Sequence, residues 1–127
     1  LINRAVRITR GEQSIALLGV DDYHNGYPDI ANLAAQMQTS DYAILLSHSP
    51  DFLPIALATP DRNGHTGWVD LALCGHTHGG QITLFGYPLI SRSQYGTRYL
   101  SGWKREENTD LLISNGIGVS YVPFRIG

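Results

Sequence analysis

The residues whose side chains are best suited to chemistry are two histidines in the stretch LCGHTHGGQ, residues 73–81. His76 and His78 stand two positions apart, after an apolar run and before paired glycines. In extended backbone, residues i and i+2 face the same way and lie about 6.5–7 Å apart. Metal–imidazole bonds measure about 2.0–2.1 Å, and the metals of two-metal hydrolytic sites lie about 3.5–4 Å apart. The spacing therefore allows each histidine to bind one of two adjacent metal ions.

A third histidine follows another apolar run. His48 comes just after YAILL, as His76 comes just after LALCG. In open α/β sheets, ligands bind beyond the carboxyl ends of the strands. If the two runs are parallel neighbouring strands, they bring His48, His76 and His78 to one edge of the sheet. We predict these three residues to be metal ligands.

The remaining candidate residues favour ordinary structural roles. His24 and His65 lie in polar loops, which is typical of surface or hydrogen-bonded histidines. Cys74 lies in an apolar run and is predicted to be a small buried residue. Asp21 and Asp22 are possible ligands, but an Asp pair that leads into a Gly/Pro loop is more typical of turn chemistry.

The elements that must position these residues follow the order β-β-α-β-α-β, with β-rich sequence after them. Residues 5–22 predict a hairpin, Asp29 caps a helix that runs to about Thr39, and Asp51 lies near the start of a second helix. Further strands are predicted in GGQITLFG, TRYLSGWKR and DLLISNGIG. The segment SNGIG could bind phosphate through its backbone, but a Gly-rich turn is the preferred interpretation. Residues 1–127 are thus predicted to form one α/β domain, with helices layered on a mixed sheet.

Composition narrows the function classes. The chain is 43% hydrophobic and 16% charged, with a formal net charge of -2, so it has no nucleic-acid footprint. An anionic substrate would therefore need a receptor other than a surplus of Lys and Arg. No apolar run approaches the ~18 residues of a membrane span, and the single cysteine excludes an internal disulfide. The sequence leaves the compartment open, with a cytoplasmic location favoured, and the start at Leu1 indicates a chain that begins inside a longer protein or was processed.

Two motifs resemble a known family. LLSHSPD and LCGHTHGGQ are similar to the last two metal-binding motifs of the calcineurin-like metallophosphoesterases. The stretch GVDD with its following G and PD, and the tail LISNGIGVSYVPFRIG, resemble the bacterial phosphodiesterase-like members. The resemblance covers the chain from about residue 13 onward.

The resemblance implies a fold, a site and a reaction. The fold would be part of a four-layer αββα sandwich with two mixed sheets. His48 and His76 would bind the second metal ion, and His78 would bind the first. The two divalent ions, Mn, Fe or Zn, would share a bridging hydroxide that attacks a phosphoester substrate. The metals would then receive the phosphate, and the protein would be a phosphohydrolase, specifically a phosphodiesterase.

The sequence also departs from the family pattern. Family members begin with D-x-H, followed by G-D-x-x-D and then G-N-H-[D/E]; this series of motifs is absent, so the chain resembles the C-terminal half of the family's domain. Three neutral imidazoles do not offset two divalent cations, so this chain alone is expected to hold one metal ion or none. Half of the core between the two sheets would be exposed in this chain. We therefore expect this apolar surface to be covered by the missing N-terminal half or by self-association. The alternative function is a non-catalytic fragment that binds a metal or a partner.

Overall fold

The computed structural model describes residues 1–85, 87–89 and 91–118. In chain order its strands are β1 (Arg4–Arg10), β2 (Gln13–Gly19), β3 (Asp41–Leu46), β4 (Leu71–Cys74), β5 (Thr83–Leu84), β6 (Tyr87–Pro88), β7 (Gly102–Glu106) and β8 (Thr109–Ile113). Its helices are α1 (Ile30–Ala34) and α2 (Leu53–Ala58), with short 3-10 turns at Pro50–Phe52 and His78–Gly80. The last nine residues of the family-like tail, 119–127, lie outside the described residues.

One large mixed sheet organises the domain. Within the described residues it has six strands in the order β1-β2-β3-β4-β8-β7. Strands β2, β3, β4 and β8 are mutually parallel, whereas β1 and β7 run antiparallel at the two edges. The predicted α/β class and mixed sheet are confirmed. Strands β5 and β6 form a separate small ribbon, so a four-layer sandwich with two full sheets is not formed by the described residues.

The predicted strand in TRYLSGWKR begins later than expected. Residues 97–101 form turns, and pairing with β8 starts only at Gly102. Tyr99, at the centre of this turn region, is 1% exposed. The physical reason is that local turn bonds, such as Leu100 N–H to the Thr97 carbonyl at 3.3 Å, satisfy this backbone before the strand begins.

One face of the sheet forms the core together with the helices. Along the parallel strands buried residues alternate with more exposed ones, as expected for strands with one face turned to a core. Helix residues share the same cluster, whose members include Ala16, Leu18, Leu33, Ala43, Leu45, Phe52, Leu53, Ala56, Ala72, Cys74, Leu111 and Ile113. Packing on this face holds in place the strands whose ends carry the candidate site residues.

The opposite face of the sheet is also apolar. Cross-strand pairing aligns Val6 with Leu17, Leu17 with Ile44, and Ile44 with Leu71 on that face. Its members are half-buried or exposed; they are Val6, Ile8, Ile15, Leu17, Tyr42, Ile44, Leu46, Leu71, Leu73, Trp103 and Leu112. A row of this kind is unusual on a free surface and is typical of an interaction face.

Helix α1 is capped as predicted but is shorter. The Asp29 side chain accepts a hydrogen bond from the Asn32 N–H at 3.1 Å. After Ala34 the N–H groups of Gln36 and Met37 bond three residues back, at 3.0 and 3.1 Å. These tighter turns replace the expected last helical turn, because the chain must reverse direction before β3 begins.

Candidate metal centre

Two parallel strands deliver His48 and His76 to the same edge of the sheet. Strands β3 and β4 pair in parallel, which is the condition under which the sequence brings these histidines to one edge. Their pairing continues past the strand ends, because Ser47 N–H donates to the Leu73 carbonyl at 3.1 Å and Gly75 N–H donates to the His48 carbonyl at 3.0 Å. The backbone that carries the two histidines is therefore held together by hydrogen bonds.

The side chains of His48 and His76 meet. His76 Nδ1 lies 3.2 Å from His48 Nε2, and the ring planes are inclined by 79°. Two nitrogens that bind one ion at about 2.0–2.1 Å in tetrahedral geometry lie about 3.3 Å apart. The observed separation therefore fits two ligands of one metal ion. Without metal, one ring donates its proton to the other.

The backbone of the H-x-H stretch is not extended, and this premise of the spacing prediction is wrong. His76 and His78 have φ values of 69° and 53°, in the left-handed region. Thr77, which lies between them, is fully buried, and its hydroxyl donates to the Leu100 carbonyl at 2.6 Å. A turn then begins, with Gly80 N–H bonded to the Thr77 carbonyl at 3.0 Å. Because Thr77 is anchored in this way, the backbone is not extended here. The rule that residues i and i+2 of a strand face the same way therefore does not apply to His76 and His78.

His78 occupies a different environment from the His48–His76 pair. Its Nδ1 atom is buried and has no hydrogen-bond partner among the described residues. The loop after β8 lies nearby, since a Cβ atom placed on Gly116 would be 3.9 Å from that nitrogen. A buried polar atom without a partner costs about 1–3 kcal/mol. A bound cation would satisfy this nitrogen, which fits a ligand role.

Three predicted ligands do not form one ready-made cluster. In the described part of the chain, no group of three or more His, Cys, Asp or Glu side chains is arranged to hold a metal ion. The structure brings His48 and His76 together and leaves His78 outside that pair. The ligand set of His48, His76 and His78 stays a prediction.

His24 is the site neighbour that sequence reasoning missed. It is exposed, as predicted for a loop histidine, but its ring stacks on His76 with centroids 4.9 Å apart and planes inclined by 28°. The available signal was topological: β2 is parallel to β3, so the loop after β2 leaves from the same edge as His48. By contrast, the side chain of His65 is 72% exposed, and the residue pairs with Asp61 of its own loop.

The Asp pair performs the predicted turn chemistry. Asp22 accepts hydrogen bonds from the His24 and Asn25 N–H groups at 2.9 and 2.7 Å. Asp21 accepts from the Tyr27 N–H at 3.0 Å, which closes the loop. The backbone bond from Asn25 is the main cause of a lowered pKa for Asp22, and His48 adds a smaller electrostatic effect.

Burial favours the neutral form of the His76 imidazole and of the Cys74 thiol. Burial lowers the pKa of His76, and the neighbouring His48 lowers it further. A neutral imidazole is the form that binds a metal. Burial raises the pKa of Cys74 to about 12, and the residue is 7% exposed. The predicted burial of Cys74 is confirmed.

Among the described residues, no helix has the length and apolar character needed to cross a bilayer. No family model matches the chain, and no solved structure matches it.

Curated relatives match most of the chain. It is 35% identical over 111 residues to the uncharacterized metallophosphoesterase YkuE of Bacillus subtilis (strain 168), covering 87% of this chain and 36% of the relative. It is 33% identical over 117 residues to an uncharacterized metallophosphoesterase of Helicobacter pylori (strain ATCC 700392 / 26695), covering 87% and 29%. An uncharacterized metallophosphoesterase of Aquifex aeolicus (strain VF5) is 29% identical over 134 residues, covering 94% and 46%.

The chain thus spans less than half the length of these relatives. Three metallophosphoesterases from different bacteria match it over nearly its whole length, and these matches include the strands that carry His48 and His76. The sequence resemblance to this family is confirmed. The chain belongs to the metallophosphoesterase family.

Proposed function

We propose that this chain is the histidine-bearing part of a two-metal phosphoester hydrolase that acts on phosphodiesters. The observation that carries the proposal is the 3.2 Å separation of His76 Nδ1 and His48 Nε2 at the carboxyl edge of two parallel strands. This separation suits two ligands of one cation. The family supplies the reaction class, since its members are named metallophosphoesterases.

Each histidine has a distinct role in the proposed centre. His48 and His76 would hold one ion jointly, and the buried Nδ1 of His78 would bind the other. Bound divalent cations, Mn, Fe or Zn, would supply the positive charge that receives the phosphate and activates water. This role agrees with a chain whose net charge is -2, in which a surplus of basic side chains cannot receive the substrate.

The remaining ligands would come from the rest of the complete protein. The relatives are more than twice as long as the region that this chain covers. Carboxylates from an N-terminal half would offset the charge of two cations. The apolar sheet face around Leu17, Ile44 and Leu71 would pack against the second sheet of a four-layer sandwich. Burial of such a face contributes about 25 cal/mol per Å² of apolar area.

A non-catalytic role is the second candidate. It is supported by the lack of a group of three or more metal-binding side chains in the described residues. A fragment of this kind would bind a metal weakly through His48 and His76, or a partner through the apolar sheet face, and would not turn over substrate. The two candidates differ in whether the complete protein hydrolyses a phosphodiester.

The test uses the complete protein with bis(p-nitrophenyl) phosphate as a chromogenic diester and p-nitrophenyl phosphate as a monoester. We expect faster hydrolysis of the diester in the presence of Mn²⁺, Fe²⁺ or Zn²⁺, and loss of the activity on chelation. His76→Ala and His78→Ala should each reduce the rate by orders of magnitude, with little recovery in excess metal. His65→Ala, an exposed histidine in a separate loop, is the control. Activity that survives complete metal removal would exclude this mechanism.

A further inference from the structure

The loop after β2 places an aromatic contact on a proposed metal ligand. His24 stacks on His76, with ring centroids 4.9 Å apart and planes inclined by 28°. Neither ring nitrogen of His24 forms a hydrogen bond to the described residues, so the ring is held there by aromatic contacts, of which the stacking on His76 is one. The feature lies outside the set of ligands predicted from the motifs.

The position of His24 is fixed by its own loop. Asp22 accepts hydrogen bonds from the His24 N–H at 2.9 Å and from the Asn25 N–H at 2.7 Å. The Gly26 N–H donates to the Asp22 carbonyl at 2.9 Å, and a Cβ atom on Gly26 would collide with the Asp21 carboxylate. The loop therefore has a closely packed conformation, and His24 is presented at a defined place.

Aromatic contacts connect His24 to the core. Tyr23 contacts the His24 ring edge-on at 5.1 Å and the Phe52 ring at 5.7 Å. Phe52 is 1% exposed and belongs to the core cluster. A continuous row of rings therefore runs from Phe52 through Tyr23 and His24 to His76. Because aromatic rings attract each other in preferred relative orientations, this row restrains the orientation of the last ring.

No described residue other than His48 forms a hydrogen bond to the His76 ring. Such a histidine normally donates its second ring N–H to a carboxylate, a carbonyl or a water molecule, which fixes the ring. In the described residues, the only hydrogen-bond contact of the His76 ring is that with His48, which involves Nδ1. Its backbone also has a φ of 69°, which a residue with a side chain adopts only when its surroundings hold it there.

We propose that His24 is a positioning residue, which orients the His76 imidazole for metal binding by stacking on it. The stacked ring supplies a restraint on the His76 imidazole that no hydrogen bond from the described residues to its second nitrogen supplies. This inference rests on the proposed role of His76 as a metal ligand. It predicts that an aromatic ring at position 24 matters and that the imidazole nitrogens of His24 do not.

The test measures metal binding rather than activity. Co²⁺ is titrated into the complete protein while its visible absorption is recorded, and the binding step that His76→Ala abolishes identifies the relevant ion. We expect His24→Ala to weaken that step by about 10- to 100-fold, the usual effect of losing a contact that supports a metal ligand. His24→Phe retains a stacking ring and should restore most of the affinity. His65→Ala should bind Co²⁺ like the unaltered protein.

The outcomes separate the inference from the proposed function. Urea unfolding midpoints of the His24 variants should stay close to that of the unaltered protein, since His24 is exposed and its ring is not part of the core. Unaltered affinity in His24→Ala would overturn the positioning role alone, as would equal weakness of His24→Phe and His24→Ala. Failure of the unaltered protein to bind Co²⁺ in any step that depends on His76 would overturn both the proposed metal centre and this inference.

Discussion

The Nδ1 atom of His76 lies 3.2 Å from Nε2 of His48, although the two residues are 28 positions apart in the sequence. Backbone bonds that continue the β3–β4 pairing, such as Gly75 N–H to the His48 carbonyl at 3.0 Å, create this proximity. The contact thus follows from the sheet topology, and it does not require a flexible side chain to find a distant partner. Shared binding of one cation is the simplest chemical use of it.

Shared binding predicts that His48→Ala and His76→Ala remove the same metal ion. Each variant should lose one equivalent of Zn²⁺ in calorimetric titration of the complete protein, and the double variant should lose no more than either single variant. Effects of two ligands on one site are strongly non-additive, because the first substitution already abolishes the interaction. Loss of two equivalents in the double variant, with one in each single variant, would contradict a common ion.

Gly79 predicts a sharp local requirement for glycine. Its φ is 63°, and a Cβ atom there would lie 2.8 Å from the Asn115 side-chain oxygen. Gly79→Ala should therefore destabilise the loop through both backbone strain and collision, and should weaken metal binding through the neighbouring His78. Urea unfolding and Zn²⁺ titration measure the two effects.

Gly96 provides the matched control for this substitution. It has nearly the same φ, 62°, but a Cβ atom there would have nothing within 4 Å. Gly96→Ala should show the backbone cost alone, roughly 1–2 kcal/mol. Equal losses of stability at positions 79 and 96 would show that the contact with Asn115 is unimportant.

Much of the fold could be predicted because hydrophobic patterns report burial directly. The continuous runs YAILL and LALC correspond to β3 and β4, which are the central parallel strands. Asp29 caps α1 as its residue type and position indicated. The strand expected around Tyr99 was misplaced, because an apolar residue buried in a turn has the same local pattern as one buried in a strand.

The site was less predictable, because its geometry depends on backbone conformation and on long-range packing. The convergence of His48 and His76 followed from strand ends. The left-handed backbone at His76 and His78 did not, since it arises from the buried anchor of Thr77 on the distant Leu100 carbonyl. The contact of His24 with His76 depends on strand order, which periodicity alone does not specify.

The burial of Cys74 predicts that folding protects its thiol from reagents in solution. It is 7% exposed, and burial raises its pKa to about 12, so almost no thiolate exists at neutral pH. The folded chain should react with Ellman's reagent at pH 8 far more slowly than the urea-unfolded chain. Cys74→Ser should lower the free energy of unfolding by about 1–3 kcal/mol, since it buries a hydroxyl. Cys74→Ala, which introduces no polar atom, should lose less; a fast reaction in the folded state would contradict the burial.

The ion pair between Arg7 and Asp41 predicts acid-dependent stability. Arg7 donates to both carboxylate oxygens of Asp41, at 2.9 and 2.7 Å, and Ser14 donates to one of them at 2.6 Å. The hydrogen bonds to Asp41, of which that from Arg7 has the largest effect, lower the pKa of its carboxyl group to about 2. The Asp41 side chain is 1% exposed. The contribution of this carboxylate is complete above its unfolded pKa of about 3.9 and is lost as the pH falls through about 2.

Asp41→Asn should therefore lower the free energy of unfolding at pH 7 by about 1–2 kcal/mol and remove much of the pH dependence between about pH 4 and pH 2. Urea unfolding across this pH range, followed by circular dichroism, measures both effects. Asp110→Asn is the control, because the Asp110 and Arg105 side chains are 46% and 62% exposed and such surface pairs contribute roughly 0–1 kcal/mol. A pH profile for Asp41→Asn that stays parallel to that of the unaltered chain would assign the acid sensitivity to other carboxylates.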